Sequence, residues 1–258
     1  MKRLITYGDS CTEYKWSTWA DILAKATESN LLNRAVRGAG NNFIQYRIKN
    51  DLADGVITQD DSIKIMWSMW SRVVNIIGKN KFTHQKIDDS IDGSIKTYKD
   101  NFQIIQDTEQ LLIQHDLDYE FLFWSPMNTN LDRNILKKMQ PINWEQELTK
   151  SFPPSIFEIV YNSDWTSRQD FAIQTDAIPK TIFKHLQKLS IKQNISIVDL
   201  IRSQDWLGNG KSLVFFDLHP TPEHHLDFLQ AIYPDLEWSD ALIAEINLEN
   251  QEVLSTLW

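Results

Sequence analysis

Short apolar runs alternate with longer amphipathic stretches through most of this chain, and that alternation is the strongest constraint on its fold. Residues 3–7 (RLITY), 31–36 (LLNRAV), 62–67 (SIKIMW), 119–124 (YEFLFW) and 195–200 (ISIVDL) read as strands. Residues 17–28 read as a helix, capped by Ser17 or Thr18, with Trp19, Ile22, Leu23 and Ala26 in one stripe. Residues 41–54 read as a second, with Ile44, Ile48 and Leu52 on one face, and Asn41 or Asn42 as its cap. A long third helix is expected over residues 90–115, and two more over 221–232 and 237–256. Strands separated by helices pair in parallel, because the crossover returns the chain to the same edge. A parallel sheet is then buried on both faces. The expected fold is α/β, a three-layer α/β/α sandwich on a five-stranded parallel sheet.

Between the fourth and fifth expected strands lies an insert, residues 127–190, with Pro141, Pro153, Pro154 and Pro179 and no convincing strand. It reads as a mostly helical excursion over one rim of the sheet. Neither an internal repeat nor a low-complexity linker divides the chain, so residues 1–258 read as one domain.

Composition narrows the partners. Acidic residues number 35 against 26 basic, a net charge of −9, and no Lys/Arg cluster could track a phosphate backbone, so nucleic acid is not expected. No apolar run reaches the length of a membrane span, so no membrane partner is expected either. Cys11 is the single cysteine, which rules out an intrachain disulfide and a cysteine metal site. The first residues carry no signal-peptide pattern, so the expected location is the cytoplasm, with a virion as the alternative. There are ten tryptophans, several beside the loops described next. They are core packing or the lining of a cleft that stacks on a flat ligand such as a sugar.

In an open α/β sheet, ligands bind beyond the carboxyl ends of the strands. Three expected strand ends carry reactive or permissive residues. The first ends in Gly8-Asp9-Ser10, where Gly8 permits a tight turn and Ser10 faces the crevice. A serine needs a base and a group that orients the base before it acts as a nucleophile. Near the other end of the chain, Asp217-Leu218-His219-Pro220 follows an apolar run and precedes Pro222, which suits a helix start. His219 is the candidate base and Asp217 its candidate orienter, while His224 and His225 fall in the helix that follows. After the second strand, Gly38 and Gly40 free backbone amides to face a developing oxyanion.

Together these residues resemble the SGNH hydrolases, also called GDSL esterases. YGDS at 7–10, Asn33 followed by Gly38, and Asp217 with His219-Pro220 match three of the family's blocks, with Asp217 one residue closer to the histidine than usual. The likeness spans nearly the whole chain and leaves the insert as an addition. It implies a single α/β/α domain with a five-stranded parallel sheet. It also implies Ser10 as nucleophile, Gly38 and Ser10 as oxyanion-hole amides, His219 as base, Asp217 as orienter and Asp9 as structural support. The family's third block carries an asparagine donor; here the corresponding stretch reads MWSMWSR, with Ser68 and Trp70 where a glycine and that asparagine would stand. The indole of Trp70, Ser68, Ser71 or Arg72 is the available replacement donor.

The function this resemblance implies is a serine esterase on small acyl esters, with O-acetyl groups on carbohydrate as one substrate class and no cofactor. An acyltransferase using the same nucleophile, or a non-catalytic carbohydrate-binding or structural protein on the same scaffold, are the alternatives. A metal-dependent hydrolase built from Asp9, Asp217, His219 and His224 lacks any compact ligand motif, and no metal is expected.

Overall fold

The computed structural model describes residues 2–86, 88, 90–124, 154–156, 159, 172–173, 188, 190–192, 216–217 and 219–255. Four strands form one parallel sheet: β1 (Arg3–Tyr7), β2 (Asn30–Asn33), β3 (Ser62–Trp67) and β6 (Asp118–Phe123), in the order β2-β1-β3-β6. Register runs Ile5 opposite Leu32 on one side and Ile63 on the other, and Ile65 opposite Phe121. The helices are α1 (Trp19–Ala26), α2 (Asn41–Ala53), α3 (Ile91–Gln114), α4 (Pro222–Ile232) and α5 (Asp240–Ser255). The strand expected at 195–200 lies outside the described residues, as does most of the insert.

Side chains alternate across each strand, so neighbouring residues enter different cores. Ile5, Tyr7, Ile63, Ile65, Trp67, Phe121 and Phe123 pack with Phe43, Ile44 and Ile48 of α2 and with Tyr98, Phe102 and Ile105 of α3. Leu4, Met66 and Leu122 pack with Trp19, Ile22 and Leu23 of α1, with Leu226, Phe228 and Leu229 of α4, and with Leu242 and Ile246 of α5. Two apolar layers, one on each side of a parallel sheet, make the α/β/α sandwich that the alternation predicts. Among the described residues, no helix is long and apolar enough to cross a membrane.

Helix starts follow local chemistry. Thr18 caps α1 and its own amide donates to the Asp21 carboxylate at 2.9 Å. Ser90 caps α3 by accepting from the Gly93 amide, and Thr221 precedes Pro222 at the start of α4. The start of α2 departs from expectation. Its cap is Gly40, and no side chain caps it. Asn41 sits inside the first turn, with its amide turned to the loop after β3.

Two elements have no counterpart in the sequence reading. Residues 74–84 form a hairpin, β4 (Val74–Gly78) against β5 (Lys81–His84), between the third strand and the long helix. Within the insert, where no strand is expected, lies β7 (Ala172–Ile173), which pairs antiparallel with β8 (Phe216–Asp217) beyond the insert. Both strands of that ladder are two residues long. Such a segment is too short to display an alternating pattern, so its pairing is decided by where the chain returns.

Candidate active site

Ser10 stands three residues beyond the end of β1, in a turn built by Asp9. The Asp9 carbonyl accepts from the amides of Thr12 and Glu13 at 3.0 and 3.1 Å, and its Oδ1 accepts from the Cys11 amide at 2.9 Å. An aspartate that turns its side chain onto the amide two residues on stabilises such a loop without help from elsewhere. Gly8 is required on steric grounds: a Cβ there would collide with the Thr12 side chain. Ser10 is 8% exposed, and its hydroxyl makes no hydrogen bond among the described residues.

The loop carrying Gly38 is sewn to this turn. The strand expected to run to residue 36 ends at Asn33, but pairing with β1 continues past it. Arg34 N–H donates to the Thr6 carbonyl at 2.8 Å and Val36 N–H to the Gly8 carbonyl at 3.1 Å. Asn33 Nδ2 donates to the Thr12 carbonyl at 2.8 Å. Gly38 has φ +78°, a left-handed conformation that favours glycine. A Cβ there would lie 3.3 Å from His84 Nε2, so the open end of the β4–β5 hairpin, where His84 pairs with Val74, lies against this glycine. Neither the Ser10 nor the Gly38 amide donates to an acceptor among the described residues.

The loop after β3 differs from expectation. Ser68 is buried, and its hydroxyl donates to Asp9 Oδ2 at 2.8 Å. A hydroxyl has one hydrogen to give, so Ser68 is not a spare donor for an oxyanion. Arg72 Nη1 donates to the same Asp9 oxygen at 2.5 Å, forming an ion pair with a carboxylate that is 2% exposed. A guanidinium has five N–H groups, so Arg72 retains donors beyond this contact. Trp70 is buried against Tyr98, and its indole N–H has no partner among the described residues. Ser71, the remaining alternative, makes no side-chain hydrogen bond among the described residues.

Two asparagines from the helices hold this loop in place. Asn41 Oδ1 accepts from the Ser68 amide at 2.8 Å, and Asn41 Nδ2 donates to the Ser68 carbonyl at 3.2 Å. Asn41 Nδ2 also reaches Asn101 Oδ1 at 2.9 Å, and Asn101 Nδ2 donates to the Trp70 carbonyl at 2.8 Å. Buried amides with most valences satisfied fix a loop firmly. Nothing local in the sequence signals these contacts, which join residues 27 to 60 positions apart.

His219 lies just before α4, partly buried, and stacks on Tyr14 with ring centroids 3.9 Å apart and planes 18° from parallel. The next residue is tied to the same loop: Trp16 Nε1 donates to the Pro220 carbonyl at 2.9 Å. The Ser10 loop and the His219 loop therefore meet through Tyr14 and Trp16. Asp217 enters through its backbone, opposite Ala172, and its side chain is not among those described. His224 Nδ1 accepts from the Thr221 amide at 3.3 Å, which makes it part of the helix cap. His225 is 1% exposed, its Nδ1 has no partner among the described residues, and burial pushes its pKa down to about 3. Trp16, Trp19, Trp67, Trp70 and Trp124 are all buried, so they serve as packing; Trp144, Trp165, Trp206 and Trp258 lie outside the described residues.

No family model matches this chain, and no curated protein does. Among solved structures, it is similar to a member of the lipolytic protein G-D-S-L family from Veillonella parvula, at 12% identity and a TM-score of 0.40, over 74% of this chain and 96% of that one. It is also similar to a putative GDSL-like lipase from Parabacteroides merdae, at 13% identity and a TM-score of 0.34, over 90% of this chain and 96% of that one.

Proposed function

We propose that this chain is a serine hydrolase of ester bonds, acting on small acyl esters, O-acetyl groups on carbohydrate among them. The observation that carries the reading is the convergence of three loops at one end of the sheet. The Ser10 turn is bonded to the Gly38 loop through Val36 and Gly8, and to the His219 loop through Trp16 and Tyr14.

The chemistry follows from those groups. His219 takes the proton of Ser10 Oγ as that oxygen attacks the ester carbonyl carbon. Asp217, two residues before, orients the imidazole and balances its charge. The amides of Ser10 and Gly38 donate to the tetrahedral oxyanion, with a remaining N–H of Arg72 as third donor. His219 returns the proton to the leaving alkoxide, and water, activated by the same imidazole, releases the acid from Ser10. Asp9 stays outside the proton path: it holds Ser68, Arg72 and the Cys11 amide.

A fluorophosphonate probe tests this directly. It should label the wild-type chain, fail on Ser10→Ala, and label His219→Ala slowly. A folded wild-type sample that takes no label would replace the hydrolase with a binding protein on the same scaffold. A panel of acetylated sugars and short-chain esters would then rank substrates, and added acceptor alcohols would separate hydrolysis from acyl transfer.

A further inference from the structure

We infer that Tyr14 is a positioning residue for the base: its ring sets the plane of the His219 imidazole and couples it to the Ser10 and Gly38 loops. This rests on the hydrolase reading for its consequence in rate, but the contact stands on geometry alone.

Tyr14 lies four residues after Ser10, in the same loop. Its ring stacks face to face on His219, at 3.9 Å between centroids. The Arg37 guanidinium, next to Gly38, lies 5.1 Å from the Tyr14 ring centroid, within cation–π range. Arg37 is itself anchored to Glu13, the residue before Tyr14, at 3.0 and 3.2 Å. Trp16 packs edge-on to Tyr14 at 4.5 Å while holding the Pro220 carbonyl. One ring thus touches residues from each of the three loops that carry the proposed chemistry.

The geometry of stacking matters here. An edge-on neighbour would cover one imidazole nitrogen. A stacked neighbour covers only the face, so Tyr14 itself occupies neither ring nitrogen, and the imidazole keeps the edge geometry that a base for the Ser10 hydroxyl requires. Stacking also restricts rotation about the two side-chain torsions of His219, so the ring is held before substrate arrives. Tyr14 is only partly buried, so its replacement leaves both apolar cores intact.

The test compares Tyr14→Phe, Tyr14→Leu, Ser10→Ala, His219→Ala and the wild type. Labelling by a fluorophosphonate and hydrolysis of a p-nitrophenyl ester give the rates, and proton NMR gives the ring-current shift of the His219 ring protons. Tyr14→Phe preserves the stack and should keep rates within about threefold. Tyr14→Leu keeps apolar bulk without a flat face. It should lower kcat and the labelling rate on the order of 10²-fold, the usual cost of a misplaced catalytic group, with KM nearly unchanged. Its His219 protons should move downfield as the ring current is lost, with the melting temperature held. Wild-type labelling rates in Tyr14→Leu, beside slow labelling in His219→Ala, would overturn the positioning role. An unshifted His219 spectrum in Tyr14→Leu would overturn the stack. Absence of labelling in every chain, with the expected shift present, would sink the hydrolase reading and the rate role with it, while leaving the contact established.

Discussion

Two serines follow adjacent parallel strands, and the structure treats them differently. Ser10, after β1, has a hydroxyl without a partner among the described residues. Ser68, after β3, gives its one hydrogen to Asp9 and has both its backbone groups bonded to Asn41. Both are buried, at 8% and 1% exposure, so burial does not separate them. What separates them is the neighbour. Asp9 sits between the two loops, with Oδ1 on the Cys11 amide of the Ser10 turn and Oδ2 on Ser68 and Arg72. The same residue that shapes the Ser10 turn therefore takes the Ser68 hydroxyl of the other loop and one N–H of Arg72. A serine's availability for chemistry is decided by the acceptors around it, and here the acceptor of Ser68 is Asp9.

The comparison breaks most sharply at Ser10 itself. Ser10→Ala should abolish labelling and lower kcat by on the order of 10⁴–10⁶, the range seen when a nucleophile is removed. Steady-state assay with the folded variant checks this. If Ser68→Ala lost as much, the distinction between the two loops would be void.

Removing the cation comes next. Arg72→Ala leaves Asp9 with Ser68 and the Cys11 amide as partners, and one charge buried without its counterion. Because Arg72 is 25% exposed, the expected loss is about 2–4 kcal/mol in urea unfolding, somewhat below that of a fully buried pair. Arg72→Lys should recover part of the stability and less of the activity, since an ammonium lacks the fork that serves Asp9 and a second acceptor together. Equal activity in wild type and Arg72→Lys would remove Arg72 from the oxyanion hole.

Acid separates loss of fold from loss of the base. The pKa of His225 is pushed down to about 3, chiefly by burial and then by the nearby His224 and His219. The unfolded chain binds that proton at the ordinary value of about 6.5. Between those two values the unfolded state holds more protons, so this group's contribution to stability falls as pH drops. The slope approaches ~1.4 kcal/mol per pH unit. His225→Phe should flatten the acid limb of urea melts recorded from about pH 6.5 to pH 4. An unchanged limb would place the acid sensitivity elsewhere.

The smallest expected effect belongs to Ser68→Ala. Losing one hydrogen bond to a charged acceptor costs about 1.5–3 kcal/mol, at the low end here because Arg72 and the Cys11 amide remain. Labelling of Ser10 should stay within about threefold of wild type, well inside the change that loss of an oxyanion donor brings.

Most of the sandwich was legible. β1 and β3 were read to the residue, α3 to within one residue at each end, and the two-sided burial followed from the order of elements. The Ser10 turn was legible because Gly8, Asp9 and Ser10 act within a few residues of one another. The hairpin at 74–84 was not, because VNIIG and KFTH are short, polar in part, and flank a Lys-Asn tip without glycine in the turn positions. Ser68 and Arg72 were read as candidate oxyanion donors, but the partner they share, Asp9, lies 59 and 63 residues away and is not legible from their own loop.

The sequence by itself determined the four described strands of the parallel sheet and the helices around it, which faces are apolar, and that a glycine-aspartate-serine turn ends the first strand. Those features obey periodicities and turn rules that operate over a few residues. Only the tertiary structure decided that Asp9 takes Ser68 and Arg72, that Asn41 grips the third loop rather than capping its own helix, and that Tyr14 lies against His219. Each of these joins side chains brought together by crossovers of the sheet. A polar group has several possible partners along a chain, and only the fold reduces them to one.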